Sequence, residues 1–207
     1  MRKLVRDEAP ACLGGLHHER DHWDDLGDRK NEIQTCLERM QGRRCAYCEG
    51  PLDTLGAHIE HFRRRKCFPA LTFSWTNLFW SCNQYDSCGH YKDSGAGAYD
   101  VDHLIDPCLE DPDKYFRFRS DGTISIRHGL SDSEKHKAEE TLRVFNLHPN
   151  WGRLRNMRKA VLAGYANLVE DAAGFPPTEL CDLFKDELAA TADLPFSTAI
   201  RHVLTKL

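Results

Sequence analysis

The 207-residue chain lacks any long apolar run. No window approaches the roughly 18 uninterrupted apolar residues of a membrane-spanning helix. The first seven residues carry charges with no apolar stretch behind them, so no secretory signal is predicted. The chain has no repeat or low-complexity tract either. These absences exclude a membrane span and lead us to expect a globular cytoplasmic protein.

The chain also lacks an excess of basic residues. It has 28 Lys+Arg against 32 Asp+Glu, for a net charge of -4. Because phosphate backbones bind to basic surfaces, this average by itself argues against a nucleic-acid partner. The charge is unevenly distributed, however: segments 1–42 and 93–207 carry -2 and -5, whereas segment 43–92 carries +3. The middle segment can therefore face nucleic acid although the whole chain is acidic.

The nine cysteines do not form a disulfide framework by our prediction, because their number is odd and no export signal precedes them. Four of them form two pairs, Cys45 with Cys48 and Cys82 with Cys88. Two such ligand pairs can build a structural zinc site, and we predict one, with four buried thiols as the alternative. The five isolated cysteines are predicted to be free and buried: Cys12, Cys36, Cys67, Cys108 and Cys181.

Chemically active side chains lie between the two cysteine pairs. Glu60 directly precedes His61. This order offers a carboxylate ligand for a divalent ion next to an imidazole that can take a proton from water. A basic run that could hold a phosphate backbone follows at once: Arg63, Arg64, Arg65 and Lys66. The pattern predicts a metal-dependent nuclease, whereas a solvated basic loop with packed histidines is the alternative.

Several segments resemble the HNH endonucleases, and among them the PtuB-type nucleases of Septu and some retron anti-phage systems. The resemblance extends over roughly residues 28–165. The segments that carry it are 44–49, 58–63, 73–82 and 88–92, followed by 104–107, 111–116 and 140–147. It implies a ββα-metal unit inside a four-cysteine zinc site. It also implies that His61 is the general base, that Asn77 keeps the loop and the His61 ring in place, and that Glu60 binds catalytic Mg²⁺ or Mn²⁺.

The sequence departs from the HNH pattern at the third motif position. The family usually has His or Asn three residues before the lysine of the motif, and this chain has Gly89 there. Glu60 also replaces the usual aspartate and reaches one methylene further. His58, which leaves the strand on the same face as Glu60, and His90 are the candidates for the missing ligand. We rank Glu60 first as a ligand, then His58, then His90.

The resemblance further implies partners. It predicts a nucleic-acid substrate, with DNA favoured, and a PtuA-type ATPase subunit that controls cleavage, with retron RNA or DNA as a further partner in retron systems. An RNase of the same fold shares every catalytic residue. From a different class, a non-catalytic zinc-binding adaptor for nucleic acid or protein explains the cysteines but does not need Glu60, His61 and Asn77.

The periodicity of apolar residues predicts an α+β fold that is mostly helical. A zinc-stabilised ββα-metal unit at 43–92 is embedded between an irregular segment with one helix at 1–42 and a hairpin with helices at 93–207. The hairpin is expected at about 115–127 around Ser120-Asp121-Gly122. Helices are expected at about 28–40, 131–146, 151–172, 178–190 and 196–206.

Overall fold

A computed structural model describes residues 1–149, 152–172 and 176–205, without the side chains of 177–183. It is mostly helical with two small antiparallel hairpins. The helices are α1 (Arg29–Gln41), α2 (Leu52–Leu55), α3 (Cys88–Ser94), α4 (Asp132–Val144), α5 (Arg153–Asp171), α6 (Pro177–Thr191) and α7 (Ser197–Leu204). The strands are β1 (Ala57–His61), β2 (Leu78–Cys82), β3 (Phe116–Phe118) and β4 (Ile124–Ile126). Among the described residues, no helix is both long and apolar enough to cross a membrane.

The first hairpin pairs β1 with β2, from Ala57 opposite Cys82 to His61 opposite Leu78. The long connection between the strands, residues 62–77, is closed at its base by a hydrogen bond of 2.9 Å from the Phe62 N–H to the Asn77 carbonyl. Helix α3 follows β2 after a short loop. The middle of the chain therefore runs strand, strand, helix.

The second hairpin and the helix after it agree with the sequence prediction. Phe116 pairs with Ile126, and Gly122 in the turn has φ of +80°. A Cβ at Gly122 would lie 2.4 Å from the Arg155 carbonyl oxygen, so glycine is needed here for close packing as well as for the turn. Ser131 and Glu134 form a capping box that begins α4.

Two clusters of buried apolar residues hold the molecule together. The larger one joins the cysteine-rich turn to β3, β4 and the C-terminal helices. The smaller one packs α1 and the preceding Trp23 against Phe73, Trp75 and Leu78. The β1–β2 hairpin contributes Phe79 to the first cluster and Leu78 to the second, so it lies between them. The division of the chain into segments at residues 42 and 92 stays a prediction. The larger cluster contains residues from all three of these segments.

The isolated cysteines are free where their side chains are described, as predicted, but their burial differs. Cys36 is buried, and Cys12 and Cys108 are partly buried. The prediction of a buried thiol was wrong for Cys67, which is exposed. It lies in a surface turn whose N–H groups bond back to the Arg64 carbonyl, and this placement has no signature in apolar periodicity. The side chain of Cys181 lies outside the described residues.

Candidate metal and catalytic site

Four cysteines that the sequence places in two pairs converge on one buried cluster. Cys45 and Cys48 lie in one turn, Cys82 is the last residue of β2, and Cys88 is the first residue of α3. Their sulfur atoms all lie within 4.8 Å of one another. A tetrahedral zinc ion with Zn–S bonds of about 2.3 Å separates its sulfurs by about 3.8 Å, so the cluster fits zinc with small movements. No other group of three or more possible ligands was found within the described ranges.

The four thiols cannot all ionise without a cation. Burial, followed by the neighbouring Cys45 and Cys48, raises the pKa of Cys88 well above its usual value. Burial also opposes ionisation of Cys45, but hydrogen bonds from the other three thiols outweigh it and keep the pKa of Cys45 low. Metal binding would require the loss of thiol protons, because the thiolate is the form of cysteine that binds a metal ion.

The turn that carries Cys45 and Cys48 is tied to the C-terminal helices. The Glu49 carboxylate accepts hydrogen bonds from the Thr198 N–H (3.1 Å) and the Ser197 hydroxyl (3.3 Å) at the start of α7. Arg44 donates to the carbonyl oxygens of Ala192 (3.0 Å) and Leu194 (3.2 Å), beyond the end of α6. The cysteine cluster is therefore supported by residues about 150 positions away in sequence.

Glu60 is a buried carboxylate with two cationic or polar neighbours. Its Oε1 atom lies 2.8 Å from Lys92 Nζ, and its Oε2 atom lies 3.3 Å from His58 Nε2. Burial would raise the pKa of Glu60, but the charge of Lys92 and the hydrogen bond from His58 outweigh it and lower this pKa. The angle between Lys92 Nζ and Glu60 Oε1 does not suit a hydrogen bond. Oε1 therefore has no hydrogen-bond partner among the described residues. The sequence marked Lys92 only as the end of a motif and missed this ion pair.

The space around Gly89 explains why the third motif position has no side chain that could bind a metal ion. A Cβ atom at residue 89 would lie 2.5 Å from Glu60 Oε2 and 2.7 Å from Glu60 Cδ. The Glu60 carboxylate thus fills the space that a side chain at residue 89 would need. The longer acidic residue and the glycine, two departures from the HNH pattern, form one structural feature.

His58 and His90 lie side by side at the outer edge of Glu60. Their rings stack with centroids 4.1 Å apart. His58 Nδ1 and His90 Nε2 both lie within hydrogen-bond distance of Asn83 Oδ1, at 3.0 and 3.3 Å. His58 contacts Glu60 directly, whereas His90 is connected to it through His58 and Asn83. The order of the ligands, with Glu60 before His58 and His90, stays a prediction.

His61 occupies a different environment from Glu60, since adjacent side chains of a strand leave on opposite faces. The ring is buried, and its Nε2 lies 2.9 Å from the Thr72 carbonyl oxygen. Because a carbonyl only accepts, Nε2 carries the hydrogen and Nδ1 is the basic nitrogen. The His61 ring also meets the Trp23 ring edge to face, with centroids 4.4 Å apart. Burial lowers the pKa of His61 to about 4. The sequence did not identify Thr72 or Trp23 as its neighbours.

Asn77 braces the loop that carries these contacts. Its Oδ1 accepts a hydrogen bond from the Arg63 N–H (2.7 Å), and its Nδ2 donates to the carbonyls of Arg63 (3.0 Å) and Leu71 (3.1 Å). Leu71 directly precedes Thr72, whose carbonyl holds His61. Asn77 therefore acts on His61 through the loop backbone, and its predicted catalytic role stays a prediction.

The predicted phosphate-binding run lies at the surface with much of its charge matched. Arg63 forms an ion pair with Asp102, Arg64 pairs with Asp93 at 2.9 Å, and Arg65 lies 3.9 Å from Asp24. Lys66 is exposed and has no charged partner in the part of the chain that the structure describes. Ion pairs at an exposed surface are weak, so a phosphate group can compete for these arginines.

Comparison with known proteins agrees with the resemblance seen in the sequence. No family model matches the chain. The chain is similar to the Septu protein PtuB of Bacillus mycoides, with 25% identity over 146 residues, which cover 58% of this chain and 48% of that protein. It is also similar to the Septu protein PtuB of Bacillus thuringiensis, with 28% identity over 119 residues, which cover 56% and 42% of the two chains. The similarity spans less than half the length of these curated relatives.

Proposed function

We propose that this PtuB-like chain is a metal-dependent HNH endonuclease that hydrolyses phosphodiester bonds in nucleic acid, with DNA as the favoured substrate. The observation that carries the proposal is the placement of Glu60 and His61. They are adjacent on one strand of a hairpin whose end supplies a ligand of the cysteine cluster. One is a buried carboxylate with an oxygen lacking a hydrogen-bond partner, and the other is a buried neutral imidazole.

The proposal includes two metal sites. The cysteine cluster suits a structural zinc ion, because four thiolates are soft ligands. Glu60, with His58 and then His90, would hold Mg²⁺ or Mn²⁺. When bound there, the ion would stabilise the charge that develops on the phosphate and on the departing oxygen.

His61 is the general base in this proposal. The Thr72 carbonyl fixes the Nε2–H tautomer, so Nδ1 keeps a lone pair for a proton from water. Burial lowers the pKa of His61 and keeps the imidazole neutral at pH 7, so Nδ1 is unprotonated. Asn77 is a positioning residue, since it holds the loop segment that bonds to the ring.

The substrate and partners complete the proposal. The basic run Arg63, Arg64, Arg65 and Lys66 would bind the phosphate backbone, while the acidic remainder of the chain leaves much of the substrate affinity to a partner. Because the relatives are Septu proteins, we assign the chain to a cytoplasmic anti-phage complex with a PtuA-type ATPase, and with retron RNA or DNA where a retron is present.

A cleavage assay tests this function. Purified protein is incubated with panels of DNA and RNA in Mg²⁺ or Mn²⁺, with and without the ATPase subunit. The proposal expects cleavage that needs the added ion and that is absent from buffer without Mg²⁺ or Mn²⁺, while zinc stays bound. If neither panel is cut under any of these conditions, while zinc is fully bound, the nuclease function is wrong.

One observation favours a second candidate, a non-catalytic zinc-binding adaptor. Glu60 is already paired with Lys92, so its charge is balanced without any catalytic ion. A zinc-loaded adaptor would bind its partner equally well in buffer without Mg²⁺ or Mn²⁺, and replacement of Glu60 by glutamine would leave that binding unchanged.

A further inference from the structure

The loop between Cys82 and Cys88 has five residues, three more than the turn between Cys45 and Cys48. It is nonetheless held firmly. The Asn83 N–H donates to the Gly56 carbonyl (3.2 Å), and the Gln84 amide donates to the Leu55 carbonyl (2.9 Å). On the other side, Asp86 accepts from Asn146 at its carbonyl (2.8 Å) and pairs with Arg153 at its carboxylate (2.7 Å). The loop is therefore a fixed element of the site, and its extra residues need an explanation.

Tyr85, at the centre of this loop, is 77% exposed and is the single aromatic among the large exposed apolar side chains of the described residues. Its ring stacks on His90, with centroids 4.7 Å apart and planes 26° apart. His90 in turn stacks on His58, whose Nε2 contacts Glu60. Three rings thus form a stack that leads from solvent to the Glu60 carboxylate. One face of Tyr85 is covered by His90, and the other is open.

Asn83 fixes the two inner rings of this stack. Its Oδ1 lies 3.0 Å from His58 Nδ1 and 3.3 Å from His90 Nε2, so a single acceptor orients both imidazoles. Asn83 belongs to the same five-residue loop as Tyr85. The loop therefore supplies both the orienting amide and the outermost ring.

We propose that the open face of Tyr85 receives an unpaired nucleobase next to the phosphate that an ion bound at Glu60 would contact. A base inside a duplex is already stacked on both faces, so a ring at the side of the site can accept only a base that has left the stack. The substrate class at this site is then single-stranded or locally unpaired nucleic acid. This inference rests on the proposed nuclease function.

The test compares Tyr85→Ala, Tyr85→Phe and the control Leu109→Ala, which removes another exposed apolar side chain that is 78% exposed. Substrates are a single strand, a duplex of the same length and a duplex with an unpaired bulge, each as DNA and as RNA. Cleavage gives KM and kcat in Mn²⁺. Binding is measured by fluorescence anisotropy in a His61→Ala background, so that it does not depend on cleavage.

Tyr85→Ala is expected to raise KM and the dissociation constant for the single strand and the bulge by about tenfold, in the range known for loss of one base–aromatic stack. The duplex should be unaffected. Tyr85→Phe keeps the ring and should stay within about twofold of the wild type, as should Leu109→Ala.

Three results overturn the inference: a wild type that prefers the plain duplex, a Tyr85→Phe variant as impaired as Tyr85→Ala, or a Tyr85→Ala variant that behaves as the wild type. The nuclease proposal fails separately. Cleavage that ignores Tyr85 would refute the stacking platform and keep the nuclease. Absence of cleavage, together with single-strand binding that needs Tyr85, would refute the nuclease and keep the platform.

Discussion

The two candidate metal regions of this protein lie next to each other and are built in opposite ways. In the cysteine cluster, four buried sulfur atoms lie within 4.8 Å of one another and are surrounded by apolar side chains. Around Glu60, each charge already has a partner: Lys92 for the carboxylate, and Asp93, Asp102 and Asp24 for the nearby arginines.

In the proposed function, this difference separates a structural site from a catalytic one. The four cysteines become metal ligands only when their thiols release protons as the metal binds. Metal binding at the cysteine cluster is therefore coupled to folding. The Glu60 carboxylate is paired within the protein by Lys92. In the proposed function, a divalent ion would take the place of the Lys92 ammonium group, and a phosphate would take the place of the aspartates beside the arginines. Loss of metal should therefore unfold the first region and merely switch off the second.

The strongest test of this comparison is Cys45→Ser. Structural zinc contributes on the order of 10 kcal/mol to folding in small zinc units, which is comparable to the whole stability of a domain. We expect the variant to lose zinc, measured by mass spectrometry, and to show no cooperative thermal transition. Cys67→Ser is the matched control, because this cysteine is exposed and isolated, and it should keep both properties. Equal behaviour of the two variants would refute a structural zinc site.

A second test removes the internal partner of Glu60. Lys92→Met leaves a buried carboxylate unpaired and should lower the free energy of unfolding by about 3–5 kcal/mol. Because a divalent ion can replace the lost ammonium group, Mn²⁺ should raise the melting temperature of this variant more than that of the wild type. The double variant Glu60→Gln/Lys92→Met should lose less stability and show no such gain. An equal response of all three proteins to Mn²⁺ would mean that Glu60 does not bind the ion.

The dependence of stability on pH involves His202, which lies outside both metal regions. Its contribution can be measured apart from theirs. His202 Nδ1 accepts the Phe118 N–H (3.0 Å), and Nε2 donates to Asp113, so the neutral ring is fully bonded. Burial lowers the pKa of His202 to about 4 from 6.5. The unfolded chain binds this proton first, so stability should fall as pH decreases from about 6.5 to 4, by about 3 kcal/mol at most. His202→Asn should reduce the slope of the free energy of unfolding against pH in this range, with a remaining slope from His61, whose pKa burial also lowers to about 4. An unchanged slope would contradict the assignment.

The smallest effect is expected from the surface charges. Lys66→Glu should weaken nucleic-acid binding and lower the slope of log affinity against log salt by about 1 to 2, since each phosphate contact contributes about one unit. Lys135→Glu reverses a comparable exposed charge on α4 and should leave the slope unchanged. A slope that both substitutions alter equally would show a general charge effect instead of a phosphate site at residues 63–66.

Local features of this fold follow well from the sequence. The two cysteine pairs, the turn at Gly122 and the start of the helix near residue 131 each depend on neighbours within a few positions, and the structure places them as predicted. Contacts between distant segments are different. The ion pair of Lys92 with Glu60, and the carboxylate that occupies the space beside Gly89, depend on how α3 packs against β1. No local pattern encodes that packing.

The same limit applies to the candidate catalytic residues. The order of Glu60 and His61, with the resemblance to the HNH endonucleases for Asn77, was enough to name these residues as candidates. It did not show that Asn77 reaches His61 through the backbone at Leu71 and Thr72. Asn83 drew no attention in the sequence because its role comes from lying between two histidines, one 25 residues before it and one seven residues after it.

The central claim is that His61 performs chemistry while the cysteine cluster maintains structure, and one measurement addresses it directly. Cleavage rate, zinc content and melting temperature are determined together for wild type, His61→Ala and the exposed control His103→Ala. We predict that His61→Ala lowers the cleavage rate by at least about 100-fold, as for loss of a general base, with zinc content and cooperative unfolding retained. Retained cleavage in His61→Ala, or loss of zinc and folding in step with activity, would contradict the account.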